Sequence, residues 1–120
     1  MANPSTGFGG AGTEVLRRGY IDGFSNVEAT LLTGVANHIY TILSIIFCER
    51  AGNAETVDLY LDYDLGGVDL KLLHQQDLPA LGTFVFSDRF VITETDKLHV
   101  IANGSANIDC LVSYIDQQLA

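Results

Sequence analysis

The side chains that could do chemistry are few, and their spacing limits what they could do. Hydrolysis by a serine or cysteine needs a nucleophile beside a base that a third group orients. Ser44 and Cys48 lie in one apolar run, and no Gly-x-Ser-x-Gly motif is present. His38, His74 and His99 are far apart and show none of the spacings that bring imidazoles to one metal ion. We therefore predict that the protein is not an enzyme and has no catalytic residues.

One group of carboxylates could attract a hard cation, and it consists of Asp58, Asp62, Asp64 and Asp69. The spacing of Asp62 and Asp64 has a weak similarity to a calcium-binding loop, but Leu73 stands where the closing glutamate would be. An acidic, solvated strand edge that discourages aggregation is the simpler interpretation. Phosphate-binding glycine motifs of the P-loop and dinucleotide types are also missing from the sequence. We expect neither a metal site nor a cofactor.

Composition narrows the possible partners. The 120 residues suffice for one domain, and 15 acidic against 6 basic residues give a net charge of −9. This balance argues against nucleic acid, because phosphate binding relies on clustered Lys and Arg. The longest uncharged apolar stretch, residues 39–48, is far shorter than the roughly 20 residues of a membrane-spanning helix. The sequence therefore predicts binding to neither nucleic acid nor a membrane.

The N-terminus and the cysteines suggest a compartment. Residues 1–12 have neither the basic nor the apolar region of a secretory signal, so we expect synthesis and assembly in a cytoplasm. Cys48 and Cys110 each lie within an apolar run, which favours buried free thiols in a reducing environment.

These residues must be positioned by β-strands, because short apolar runs rich in β-branched and aromatic residues alternate with turn residues. No stretch has helical periodicity of useful length. Eight strands are predicted, at residues 28–33, 36–49, 55–62, 68–74, 83–86, 89–93, 97–102 and 107–116. The fold class is therefore all-β, a two-sheet β-sandwich with jelly-roll or other Greek-key connectivity.

The strand at residues 36–49 is apolar on both faces under simple alternation. One face carries Ile39, Leu43, Ile45 and Phe47, and the other carries Tyr40, Ile42, Ile46 and Cys48. A sandwich normally covers one face of each sheet, so a strand apolar on both faces indicates a second contact. We expect self-association through Tyr40, Ile42 and Ile46, as a dimer rather than a trimer.

Residues 1–24 are interpreted as a flexible Gly-rich arm followed by a docking segment, and residues 25–120 as the sandwich domain. The segment is too sparse in apolar side chains to form a core, yet Arg17 and Arg18 concentrate a third of the positive charge. Aromatic and Arg side chains are typical interface anchors. The residues predicted to bind a partner protein are Phe8, Val15, Leu16, Arg17, Arg18, Tyr20 and Phe24.

The order of these features resembles a known group of proteins. A Gly-rich arm precedes Glu14-Val15-Leu16-Arg17-Arg18-Gly19-Tyr20, and Leu31-Leu32-Thr33-Gly34-Val35-Ala36 enters the long apolar strand. Further along come Leu81-Gly82-Thr83-Phe84, residues 94–100 and residues 107–114. The pattern is similar to the small decoration, or cement, proteins of tailed-phage heads.

The resemblance implies a jelly-roll domain that sits on an assembled capsid in the virion, with extended arms reaching across neighbouring capsid subunits. The implied partner is the major capsid protein, and the implied place of assembly is the cytoplasm of a host bacterium. The resemblance does not indicate which symmetry axis of the capsid the protein would occupy.

Two alternatives stay open. A carbohydrate-binding or fibre-like β-sandwich would stack sugar rings on exposed aromatics such as Tyr40, Tyr60, Tyr63 or Tyr114. A tail or neck adaptor of the same particle would share every feature used above.

Overall fold

The computed structural model of the protein describes residues 12–63 and 68–119. In these ranges the chain forms nine β-strands and no helix, as the alternating apolar pattern predicts. The strands are β1 (Gly12–Phe24), β2 (Ala29–Thr33), β3 (His38–Glu49), β4 (Glu55–Tyr63), β5 (Val68–Leu78), β6 (Thr83–Phe86), β7 (Phe90–Thr93), β8 (Lys97–Ala102) and β9 (Ile108–Leu119).

The strands form two antiparallel sheets that pack face to face. A five-stranded sheet has the order β1-β9-β3-β6, with β7 also pairing with β3, and a four-stranded sheet has the order β2-β8-β4-β5. Early strands pair with late ones, β4 with β5, β3 with β6 and β7, β2 with β8 and β1 with β9. This is the connectivity of one long antiparallel ribbon rolled into a jelly roll. The predicted all-β sandwich is confirmed.

The eight strands predicted from the sequence are all present within a few residues, and the ninth, β1, comes from the segment interpreted as a docking arm. β1 pairs with β9 along its length, and Phe24 at its end is buried in the core. Gly12–Phe24 is therefore part of the sandwich. Residues 1–11, including the predicted anchor Phe8, lie outside the described residues.

The inward face of β1 explains why sequence patterning missed it. Val15, Arg17, Gly19 and Ile21 stand opposite inward residues of β9, so only two of the four are large and apolar. A Cβ at Gly19 would lie 3.4 Å from the Leu31 carbonyl oxygen, which shows how closely β2 passes over this position. A glycine and a charged side chain therefore occupy core-facing positions, and the strand lacks the usual alternation.

A β-bulge in the middle of β3 reverses the alternation of that strand. Ile42 pairs with Tyr114 and Ser44 pairs with Ser113, so Leu43 is an extra residue without a counterpart in β9. Tyr40 and Ile42 before the bulge, and Ile45 and Phe47 after it, all point into the core. Uniform alternation had placed these two pairs on opposite faces.

The core lies between the sheets and is almost entirely aliphatic and aromatic. Its fully buried side chains include Ile42, Ile45, Phe47, Val57, Leu59, Leu78, Ile92, Leu98, Val100, Ile108 and Val112. At roughly 1.5 to 3 kcal/mol for burying each such side chain, this is the main stabilising contribution.

Candidate protein interface

The feature that stands out is the outer face of the five-stranded sheet, which we call the outer sheet face. Directly opposed residues of antiparallel strands point to the same side. The pairing of β1 with β9, β9 with β3 and β3 with β6 therefore aligns four apolar side chains in a row across four strands. This Tyr20 row consists of Tyr20, Leu111, Ile46 and Val85.

A second row runs parallel to the first. The pairings of β1 with β9, β9 with β3 and β3 with β7 align Leu16, Ile115, Thr41 and Val91. A polar row of Arg18, Ser113 and Ser44 separates this Leu16 row from the Tyr20 row. The outer sheet face is therefore a pair of apolar stripes with one cation between them.

These apolar side chains are exposed to an unusual degree. Leu16 is 74% exposed, Tyr20 70%, Val85 51% and Val91 47%. A groove of about 430 Å³ runs beside Tyr20, Ile46 and Leu111. Contiguous exposed apolar patches on soluble domains mark interaction sites more often than isolated exposed residues do. The outer sheet face is the candidate functional site.

An ionic cluster closes one end of this face. Arg50 Nη1 lies 3.0 Å from Asp22 Oδ1 and 3.1 Å from Asp109 Oδ1, and both carboxylates raise the pKa of Arg50, with Asp109 the larger cause. The cluster joins β1, β9 and the turn after β3 at the rim. Such a polar rim around an apolar centre is the usual anatomy of a protein interface.

The residues that were predicted to bind a partner, and that the structure describes, lie on two different faces of β1. Leu16, Arg18 and Tyr20 point outward and belong to the outer sheet face. Val15 and Arg17 point the other way, opposite Asp116 and Tyr114, and Phe24 is buried. Phe24 is therefore unavailable to a partner in this fold.

The residues predicted for self-association divide in the same way. Tyr40 and Ile42 are buried in the core because the bulge at Leu43 keeps both on the inner side of β3. Ile46 lies on the outer sheet face. Sequence reasoning also missed Leu111 and Ile115, although β9 is apolar at these outward positions as well as on its inward face, which is the signal that would have found them.

Arg17 makes a contact within the fold, on the inner side of β1. Its Nε donates a hydrogen bond to Asp116 Oδ2 at 2.8 Å, and His38 Nδ1 lies 2.6 Å from Asp116 Oδ1. Burial pushes the pKa of Asp116 upward, but the bonds from His38 and Arg17 outweigh it, so the pKa lies below its ordinary value. The cluster fastens β1, β3 and β9 at one end of the sandwich.

The outer face of the four-stranded sheet has a different character. Thr30, His99, Tyr60 and Lys71 form a row across its four strands, with Thr30 Oγ1 3.1 Å from His99 Nδ1 and Lys71 Nζ 4.3 Å from the Tyr60 ring centre. The Tyr60 hydroxyl donates to Glu28, and burial together with this bond raises the pKa of Tyr60. The side chains of this row contact one another, whereas Asp62 Oδ1 nearby is buried without a hydrogen-bond partner. Among the described residues, this row is therefore polar where the rows of the outer sheet face are apolar.

The described members of the predicted acidic group lie on β4 and β5, with Asp62 directly opposite Asp69. Asp58 accepts bonds from Lys71 Nζ at 2.9 Å and the Gln75 amide at 2.7 Å, and although burial acts to raise its pKa, the net shift is downward. Asp62 lies 3.7 Å from His99 Nε2, and Asp64 is outside the described residues. Within the described ranges no three His, Cys, Asp or Glu side chains are grouped to hold a metal ion. No helix in these ranges is long and apolar enough to cross a membrane.

The tyrosines considered as sugar platforms are mostly unavailable. Tyr40, Tyr60 and Tyr114 are buried, and only Tyr63 of the four is exposed. Cys110 is buried as well, which raises the pKa of its thiol to about 12, and both cysteines are free.

No protein-family model matches the sequence, and no curated protein is significantly similar to it. Solved structures are similar in fold. A chain from Bacillus endospore appendages, described as a novel family of disulfide-linked pili, matches with a TM-score of 0.52 and 17% identity, over 99% of this chain and 100% of that one. A chain of infectious bursal disease virus matches with a TM-score of 0.51 and 11% identity, over 90% of this chain and 38% of that one. A chain from the capsid of Helicobacter pylori bacteriophage KHP30 has a TM-score of 0.49 and 9% identity, over 92% and 95%.

Proposed function

We propose that the protein is a structural virion protein that binds the outside of an assembled capsid and joins neighbouring capsid subunits. The observation that carries this proposal is the outer sheet face, because two uncovered apolar rows on a chain of net charge −9 indicate a surface made for contact with protein. On the other side of the sandwich the corresponding row is polar, and its exposed members are Thr30 and Lys71.

Two further observations support the proposal. The fold is shared with chains of a pilus and of a virus, both of which are assemblies of many copies. Ser44 and Cys48, the candidate nucleophiles of the sequence, also lie on the outer sheet face, whereas His38 contacts Asp116 and His99 contacts Thr30 on the other sheet. A β-sandwich with an exposed apolar face is suited to a role in assembly.

The experiment uses capsids of the parent virus prepared without this protein. Purified protein is added, and unbound protein is removed by sedimentation. The temperature at which the capsids open is then measured with a dye that fluoresces when it binds the released DNA. A cement protein raises this temperature and saturates at a fixed ratio. Capsids that neither retain the protein nor gain stability would contradict the proposal.

A pilus-like or fibre-like subunit is the second candidate, because the similarity to the endospore pilus chain spans essentially both chains. The cysteines argue against disulfide linkage of the kind named for that pilus. Of the two in the sequence, Cys110 is buried with a raised pKa, which leaves Cys48 alone, whereas a linear chain of links needs two reactive sites per subunit. Electron microscopy of the purified protein without capsids separates the candidates, since filaments would favour the fibre.

A further inference from the structure

We infer that the outer sheet face is covered by a second copy of the same chain, in a two-fold dimer that packs five-stranded sheet against five-stranded sheet. This inference names the occupant of the face and does not rest on the proposed function, because it concerns the protein alone. In this arrangement the outer sheet face supports the proposed function through dimerisation, because a dimer presents every other surface of the sandwich to the capsid twice. Such duplication would let one dimer bridge two capsid subunits.

The size of the face is sufficient for a dimer. Strands lie about 4.8 Å apart and rise about 3.4 Å per residue, so β1 to β6 spans roughly 20 Å with side chains and Glu14 to Asp22 roughly 27 Å. Each copy would bury roughly 550 Å², and the pair roughly 1,100 Å², which exceeds the roughly 1,000 Å² expected of a biological interface.

The pattern of the face is complementary to itself. A two-fold axis parallel to the strands reverses the strand order of the facing sheet while keeping each row opposite its own copy. Tyr20 then faces Val85 of the second copy, a large side chain against a small one, and Leu111 faces Ile46, an aliphatic pair of equal size. Apolar rows meet apolar rows in this arrangement, and no carboxylate enters the centre of the contact.

The position of Arg18 on the outer sheet face is also compatible with this two-fold axis. Arg18 lies at the β1 edge, so the axis avoids stacking it on its own copy and places it near the β6–β7 loop of the other chain. This loop contains Asp88 and Arg89, both exposed, and Asp88 is the side chain that would pair with Arg18. An interfacial pair of this kind contributes to orientation more than to affinity.

The first test measures the oligomeric state of the full chain by sedimentation over 1–100 µM, without capsids. Leu16→Glu/Tyr20→Glu puts two carboxylates on the outer sheet face. Val27→Glu/Val35→Glu is the matched control, since both sites are exposed in the loops on either side of β2 and the charge change is the same. We expect a wild-type and control dimer, and an at least tenfold weaker association of the face variant.

The second test needs no substitution. Cys48 lies on the outer sheet face and borders its groove, whereas Cys110 points into the core. The rate of Cys48 alkylation by iodoacetamide should therefore fall several-fold as the protein concentration rises through the dimer dissociation constant. This readout decides the question if the face variant does not fold.

Three results would overturn the inference. They are a wild-type monomer at 100 µM with a concentration-independent Cys48 rate, a face variant that folds and dimerises like the control, and a trimer or higher ring. Protection of Cys48 that appears only on capsids would assign the face to the capsid protein instead. That outcome would leave the proposed function intact.

Discussion

Glu49 is an acidic residue buried for a structural reason. Its carboxylate accepts hydrogen bonds from the amides of Ala51, Gly52 and Asn53 in the turn after β3, and from the amide of Leu81 before β6. The Leu81 bond is the largest of the causes that lower the pKa of Glu49. One side chain therefore fixes both connections at this end of the sandwich.

We predict that Glu49→Gln lowers the melting temperature by several degrees at pH 7, because a neutral amide accepts these bonds less strongly and adds a donor with no partner. Since the folded pKa is depressed, the stabilisation by Glu49 is present above its ordinary pKa of 4.5 and is lost as the pH falls through the folded value. Thermal melts of both proteins from pH 7 to pH 3 should converge at the acidic end. A constant difference across this range would contradict the explanation.

The neighbours Arg17 and Arg18 should behave differently although the sequence treats them alike. Arg17→Ala removes a bond to the buried Asp116 and should cost about 1 kcal/mol of unfolding free energy, since Arg17 itself is half exposed. Arg18→Ala, on the outer sheet face, should stay within about 0.5 kcal/mol. Urea denaturation at low micromolar concentration measures both, and equal losses would contradict the assignment of the two residues to opposite faces.

At the scale of elements, the sequence was informative wherever strand alternation was regular. The strands β4, β8 and β9 follow it, so their existence and inward faces could be predicted. The faces of β3 on the two sides of its bulge could not both be predicted correctly, because an extra residue at Leu43 leaves no compositional mark in a run that is apolar throughout. The candidate site depended on this detail, since the bulge decides that Ile46 points outward while Tyr40 and Ile42 point inward.

The connection between β2 and β3 gives a prediction at this scale. Gly34 donates its amide to Asp96 O at 2.7 Å, and a Cβ at this position would lie 2.5 Å from Thr93 O and 2.7 Å from Glu94 O. Gly34→Ala should therefore destabilise the fold by about 1 to 3 kcal/mol, because backbone must move. Gly104→Ala is the control, since the nearest atom is 3.5 Å away, and a similar loss in both variants by thermal melting would contradict the packing argument.

For the whole molecule, β1 shows which part of the fold could not be predicted from the sequence. The fold class followed from turn spacing, but the first strand of the jelly roll was interpreted as an arm because Arg17 and Gly19 occupy its inward positions. Their contacts with Asp116 and with β2 exist only in three dimensions. Of the predicted docking residues in β1, Leu16, Arg18 and Tyr20 lie on the outer sheet face, and Val15, Arg17 and Phe24 do not.

The number of copies on the capsid tests the central claim most directly. Capsids lacking the protein are saturated with it, washed and analysed by quantitative mass spectrometry against the major capsid protein. The proposed cement role predicts a fixed ratio approaching one copy per capsid subunit or per symmetry-related group, hence hundreds of copies per particle. Retention of only one or two symmetric rings would indicate a tail or neck adaptor, and no retention at saturating concentration would contradict a capsid role altogether.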